Sequence, residues 1–115
     1  MQVSEHFKQE EFECKCGCGK YTPNTQLVVV LEGVREYFGS PVTITSSTRC
    51  EEHNASVGGK PHSKHLEGLA ADIQVKGVEP TVVHTYLENK YPNKYGIGLY
   101  NTFVHIDVRP NKTRW

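Results

Sequence analysis

The sequence predicts an α+β fold, with helices packed on a largely antiparallel sheet. Three observations carry that reading. Two stretches place apolar residues at helical spacing, and four short stretches are β-branched or alternate apolar with polar side chains. The last two of these are separated by a two-residue turn of the kind that joins antiparallel neighbours. With 115 residues the chain is read as one domain, 1–115, long enough to bury roughly two-thirds of its unfolded surface around a single core without a disulfide framework.

The elements follow in order. Residues 1–20 form an arm in which Phe7 and Phe12 stand among charged neighbours, as in a short helical turn pinned to a core by two aromatic rings. Thr22-Pro23 supplies a cap and first helical position, and Leu27, Val30, Leu31, Val34 and Phe38 then recur at helical spacing until Gly39 stops the run. Val28 and Val29 lie off that stripe; consecutive valines are poor helix formers, so burial rather than propensity must hold this helix. Pro41 to Ser46 is β-branched and alternating, hence a strand that delivers Ser47-Thr48-Arg49 at its end, where sites are commonly built. Glu51 to Ser56 is a short helix and Val57 to Pro61 a glycine-rich loop. Residues 69–75 read as a strand. Glu79-Pro80 opens a second long helix through Val83, Tyr86 and Leu87, which Pro92 must stop. Residues 96–100 and 103–108 are two strands around Asn101-Thr102.

Composition excludes several functions. Thirteen basic residues balance thirteen acidic ones with no basic run, which argues against nucleic acid as a partner. No apolar stretch approaches the roughly 20 residues of a membrane span, and the polar start lacks signal-peptide character, so a soluble monomer made in the cytoplasm is expected. No phosphate-binding Gly-rich loop and no Gly-x-Ser-x-Gly elbow is present. Cys14, Cys16 and Cys18 alternate in Cys-Lys-Cys-Gly-Cys-Gly, and Cys50 stands apart. Three readings stay open: a structural zinc site made by all four, a disulfide to Cys50 in an oxidising compartment, or reduced thiols in a tight turn.

The coherent catalytic signal is a metal constellation. Ser63 to Asp72 places His65 and Asp72 seven residues apart around Gly68 and Ala70, small residues where a turn must bring both ligands to one ion. In Val104-His105-Ile106-Asp107-Val108 the alternation puts His105 and Asp107 on one strand face, which adds a third ligand. Two histidines and one carboxylate form the protein half of an open zinc site whose remaining position holds water for hydrolysis. Asp107 is suited either to orient His105 or to take a proton. His6 and His84 carry no such context.

Ser63, His65, Gly68, Ala70 and Asp72 fill every fixed position of an S-x-H-x-x-G-x-A-x-D signature. The chain thereby resembles zinc D-alanyl-D-alanine carboxypeptidase-type peptidoglycan peptidases. Within that family it is similar to the small single-domain members, many from phages and prophages, which also show a Cys-rich start, a Thr-Ser-x-x-Arg segment and a Val-His-x-Asp-x-Arg strand; here the likeness runs from about residue 5 to Arg109. The resemblance implies the fold shared by lysostaphin-type peptidases and the Hedgehog signalling domain. It also implies zinc on His65, Asp72 and His105, and cleavage of a cell-wall stem peptide as a carboxypeptidase or endopeptidase. A lysis or virion-associated role would bring such a protein to the wall. Arg49 would hold a substrate carboxylate or polarise the scissile carbonyl, with His53 and Ser63 in the same cleft. Related peptidases carry a general base two or three residues before the last ligand, where this chain has Phe103 and Thr102. The proton acceptor must then come from Asp107, His62, His53 or Glu67, with Asp107 and His62 preferred. The alternative is an inert, metal-stabilised wall-binding or virion structural module that kept the ligands and lost the base.

Overall fold

The computed structural model describes residues 1–21 and 24–115. Its elements are α1 (Thr25–Phe38), β1 (Val42–Ser46), α2 (Glu51–Ser56), β2 (Ala70–Val75), α3 (Pro80–Lys90), β3 (Gly96–Leu99), β4 (Val104–Asp107) and β5 (Thr113–Arg114), with a 3₁₀ turn at Gln9–Glu11. The sheet runs β1-β2-β4-β3-β5; every pairing is antiparallel except that of β3 with β5. The fold is α+β, as the sequence predicts.

Local chemistry accounts for the helices. Thr22 and Pro23, expected to open the first one, lie outside the described residues. The described cap is Asn24, whose side chain accepts the Leu27 amide, and Gly39 ends α1 at φ 61°, a left-handed geometry that suits glycine. Leu27, Val30, Leu31 and Val34 are buried while Val29 is exposed, so packing on one face holds the valine run helical. Glu79 and Pro80 open α3, which buries Val83 and Leu87 and ends at Lys90 before Pro92.

Strand alternation splits the sheet into two chemically different faces. Ile44, Ala71, Ile73, Ile97, Val104 and Ile106 join α1, α3 and the arm's Phe7 and Phe12 in one apolar core. Burial of this set, at about 25 cal/mol per Å² of apolar surface, is the main favourable term of the fold. The intervening residues Asp72, Gly96, Gly98, His105 and Asp107 belong to the opposite face. Register aligns them: Asp72 pairs with His105, Gly98 with His105 and Gly96 with Asp107. The strand β5 is absent from the sequence reading. It carries the C-terminus back along β3, where Trp115 exchanges backbone hydrogen bonds with Ile97 and Leu99.

Candidate metal centre

His65 sits in the turn-rich stretch before β2, and local geometry fixes its ring. Gly68 adopts φ 71°, which turns the chain back so that residues 65 and 72 meet. The Ser63 hydroxyl accepts the His65 amide, and the His65 carbonyl accepts the Arg49 amide. His65 Nδ1 lies 2.7 Å from the Ser47 carbonyl oxygen, an atom that can only accept, so Nδ1 carries the proton and Nε2 presents its lone pair. His105 lies between two carboxylates; the shorter contact, Nε2 to Asp107 Oδ2 at 2.7 Å, holds the proton there, so that Nδ1 is the nitrogen a metal beside Asp72 would take.

Both free nitrogens converge on one atom. His65 Nε2 is 3.2 Å and His105 Nδ1 3.0 Å from Asp72 Oδ1, with all three residues buried. Two neutral imidazole lone pairs facing a carboxylate oxygen repel unless a cation lies among them. Ligand atoms held about 2.0–2.1 Å from a tetrahedral zinc are separated by roughly 3.4 Å, close to what is found. The donor set therefore fits zinc.

Without a metal, positive charge on the imidazoles takes the place of the cation. Burial alone would raise the Asp72 carboxyl, but hydrogen bonds and charge from His105 and His65 outweigh it and hold it down at about 2. For His105, burial favours the neutral ring, yet the hydrogen bonds to Asp107 and Asp72 prevail and its pKa is raised. Asp107 is wholly buried; burial again works against the charge, and His105 and Arg109 overcome it so that the carboxyl stays far below its ordinary range. The Arg109 guanidinium grips both Asp107 oxygens, through Nε at 2.7 Å and Nη2 at 2.8 Å. Asp107 thus stands behind His105, away from the nitrogen that faces Asp72.

A cleft of about 710 Å³ opens over the centre, lined by Arg49, His62, Ser63, His65, Asp72, Tyr100, Phe103, His105, Arg109 and Trp115 among others. Of the residues singled out from sequence, Arg49, His62 and Ser63 reach this cleft, and His53 and Glu67 are not among its lining. Arg49 is aimed by three contacts: Nε to Ser46 Oγ at 3.0 Å, Nη1 to the buried Asn54 Oδ1 at 3.2 Å and Nη2 to Asp72 Oδ2 at 3.4 Å. Glu67 pairs with Lys64 on the surface.

Two features escaped the sequence reading. Arg109 clamps Asp107, and Trp115 walls the cleft, its indole N–H donating to Tyr100 Oη at 2.8 Å and its ring 4.9 Å from that of His105. Gly98 leaves room for that indole: a Cβ there would fall 2.5 Å from Trp115 Nε1. A lone tryptophan downstream of Gly-x-Gly was the one available signal.

Among the described residues no helix is long and apolar enough to cross a membrane. The family model for peptidase M15 matches residues 5–107. None of the curated proteins compared matches the chain.

Proposed function

We propose that this chain, which belongs to the peptidase M15 family of zinc metallopeptidases, hydrolyses a peptide bond in bacterial peptidoglycan stem peptides. The observation that carries the reading is the convergence of two imidazole lone pairs on Asp72 Oδ1 at the floor of a cleft holding a fixed guanidinium. His65, Asp72 and His105 hold the metal. Zinc in that position supplies the Lewis acidity that makes water a nucleophile at neutral pH.

The remaining residues have separable tasks. Arg49, immobilised by Ser46, Asn54 and Asp72, presents its charge to a substrate carboxylate or to the oxygen of the scissile carbonyl. Asp107 fixes the tautomer and angle of His105; both its oxygens are engaged by His105 and Arg109, so it orients the ligand and does not take the proton. Proton transfer from water to the leaving amine is assigned to His62, a reading supported by its exposure on the cleft lining and by the engagement of both Asp107 oxygens elsewhere. Trp115, Tyr100 and Phe103 give the cleft an apolar wall for the substrate backbone and methyl groups.

Mass analysis of muropeptides incubated with the purified protein tests this function. Loss of a terminal residue or scission of the stem, abolished by chelator and restored by zinc, is the expected result. Intact muropeptides that nonetheless co-sediment with the protein would replace the enzyme with a metal-stabilised wall-binding module.

A further inference from the structure

We propose that Cys14, Cys16, Cys18 and Cys50 hold a second, structural zinc ion that locks the N-terminal arm onto the loop carrying Arg49. The four sulfurs all lie within 4.8 Å of one another. The Cys14–Cys16 separation is 3.4 Å, and Cys50 is 3.7 Å from each of those two sulfurs. Sulfurs held about 2.3 Å from one tetrahedral zinc are spaced by roughly 3.8 Å, whereas a disulfide would draw one pair to about 2.0 Å and leave two thiols out. The near-equal spacing of Cys14, Cys16 and Cys50, with Cys18 within 4.8 Å of each, points to a shared centre.

The backbone is shaped for it. Extended Cys-x-Cys-x-Cys would string its sulfurs along a line, but Gly17 at φ 88° and Gly19 at φ 81° fold the segment back. The Cys14 amide closes that loop on the Lys20 carbonyl at 2.9 Å. Two further amides point at sulfur: Cys50 N–H at Cys14 Sγ and His53 N–H at Cys50 Sγ, each at 3.4 Å, contacts that favour thiolate over thiol. Four protein thiolates leave no open coordination position, and none of the four cysteines lines the cleft, so the role is structural.

What the ion would hold is specific. Cys50 caps α2 and directly follows Arg49, while Thr48 N–H bonds the Phe12 carbonyl at 3.0 Å. The arm and the loop that aims Arg49 already meet through that bond and the core packing of Phe12, and the ion would add a tie that fixes Cys50, the residue next to Arg49. Soft thiolate donors select zinc over the hard cations.

Metal content and cobalt absorption decide the matter without reference to catalysis. The protein purified without chelator should carry two zinc ions per chain. His65→Ala/His105→Ala, which leaves every cysteine intact, should keep one, and its cobalt-substituted form should show intense thiolate-to-cobalt charge-transfer absorption. Cys16→Ser/Cys18→Ser should lose that band. Hydrogen exchange at residues 13–20 and 48–52 of the histidine variant should quicken at least tenfold on chelation. A folded histidine variant with no zinc and no thiolate–cobalt band, or a native mass two daltons low from a disulfide, would overturn the proposal. Failure of the cysteine variant to fold would not rescue it, since the histidine variant decides alone. Because that variant lacks the His65–Asp72–His105 centre, its result is independent of whether the cleft is a peptidase.

Discussion

Gly96→Ala should damage the metal centre although Gly96 contacts no metal ligand. Gly96 pairs with Asp107 across β3 and β4, and a Cβ at residue 96 would lie 2.4 Å and 2.5 Å from the two Asp107 carboxylate oxygens. An ordinary contact of about 3.4 Å needs the carboxylate to retreat by roughly 1 Å. It has nowhere to go cheaply: Oδ2 accepts from His105 at 2.7 Å and from Arg109 at 2.8 Å, and Oδ1 from Arg109 at 2.7 Å. A shift of that size carries one or two of these bonds past about 3.4 Å. Hydrogen bonds to a charged group are each worth about 1.5–3 kcal/mol, offset by the roughly 0.5–1 kcal/mol that alanine gains over glycine in a strand. The net expectation is about 1–5 kcal/mol of lost stability, according to whether one bond or two is broken, and a roughly 10–100-fold weaker zinc affinity, since His105 loses the partner that sets its tautomer. Denaturant unfolding and competitive zinc titration measure the two effects. Gly98→Ala is the control: the group it meets is the Trp115 indole, 45% exposed and tied by one side-chain hydrogen bond to Tyr100 Oη, which yields toward solvent more readily than the doubly clamped Asp107, so zinc affinity should hold while substrate KM rises. A Gly96→Ala protein with native zinc affinity and stability within about 0.5 kcal/mol of the parent would refute the Asp107 clamp.

Other expectations follow from the same geometry. Asp107→Asn should weaken zinc binding roughly 10–100-fold yet recover its turnover at saturating zinc; a 10²–10⁴-fold loss of kcat with zinc fully bound would instead make Asp107 the general base. His62→Ala should lower kcat by about 10²–10⁴ with zinc content unchanged, and native kcat would remove His62 from proton transfer. For the chelated protein, Asp72 is held at about 2 against an ordinary 3.8, so about 2 kcal/mol of stability is present above pH 4 and lost as acid approaches pH 2. His105 is shifted the other way, so its contribution is full below its ordinary value near 6.5 and is lost as pH rises through its raised folded value. Zinc reverses that upper limb, because protons compete for both ligand histidines. Melting temperatures taken from pH 5 to pH 8 should therefore fall for the chelated protein and climb for the zinc-loaded one, and parallel curves would contradict the ligand assignment.

How much could be read before the structure depended on how local each signal is. His65, Gly68 and Asp72 lie within eight residues, so chain geometry could bring the first and last to one ion, while His105 was added by its alternating strand and by the family resemblance. The helix stripe of Leu27, Val30, Leu31 and Val34 was legible for the same reason. Strand pairing was not. Only the register of β3 against β4 shows that Gly96 and Gly98 exist to make room for Asp107 and Trp115. Two-residue β5 has no periodicity to detect, which hid the path that brings Trp115 over His105. Asp107 kept two readings in the sequence because alternation fixes its face but not its partners; Arg109, two residues on, occupies both oxygens. Cys50 likewise stands 32 residues from Cys18 in the chain, and no sequence spacing announces that their sulfurs meet.

The central claim is that the His65, Asp72 and His105 centre drives the hydrolysis, and zinc titration of the chelated protein with stem-peptide cleavage followed in the same samples tests it most directly. Activity should be absent without metal, rise with the equivalent of zinc that His65→Ala fails to bind, and stay absent in His65→Ala at every zinc concentration. Cleavage by the metal-free protein, or by His65→Ala at saturating zinc, would contradict it.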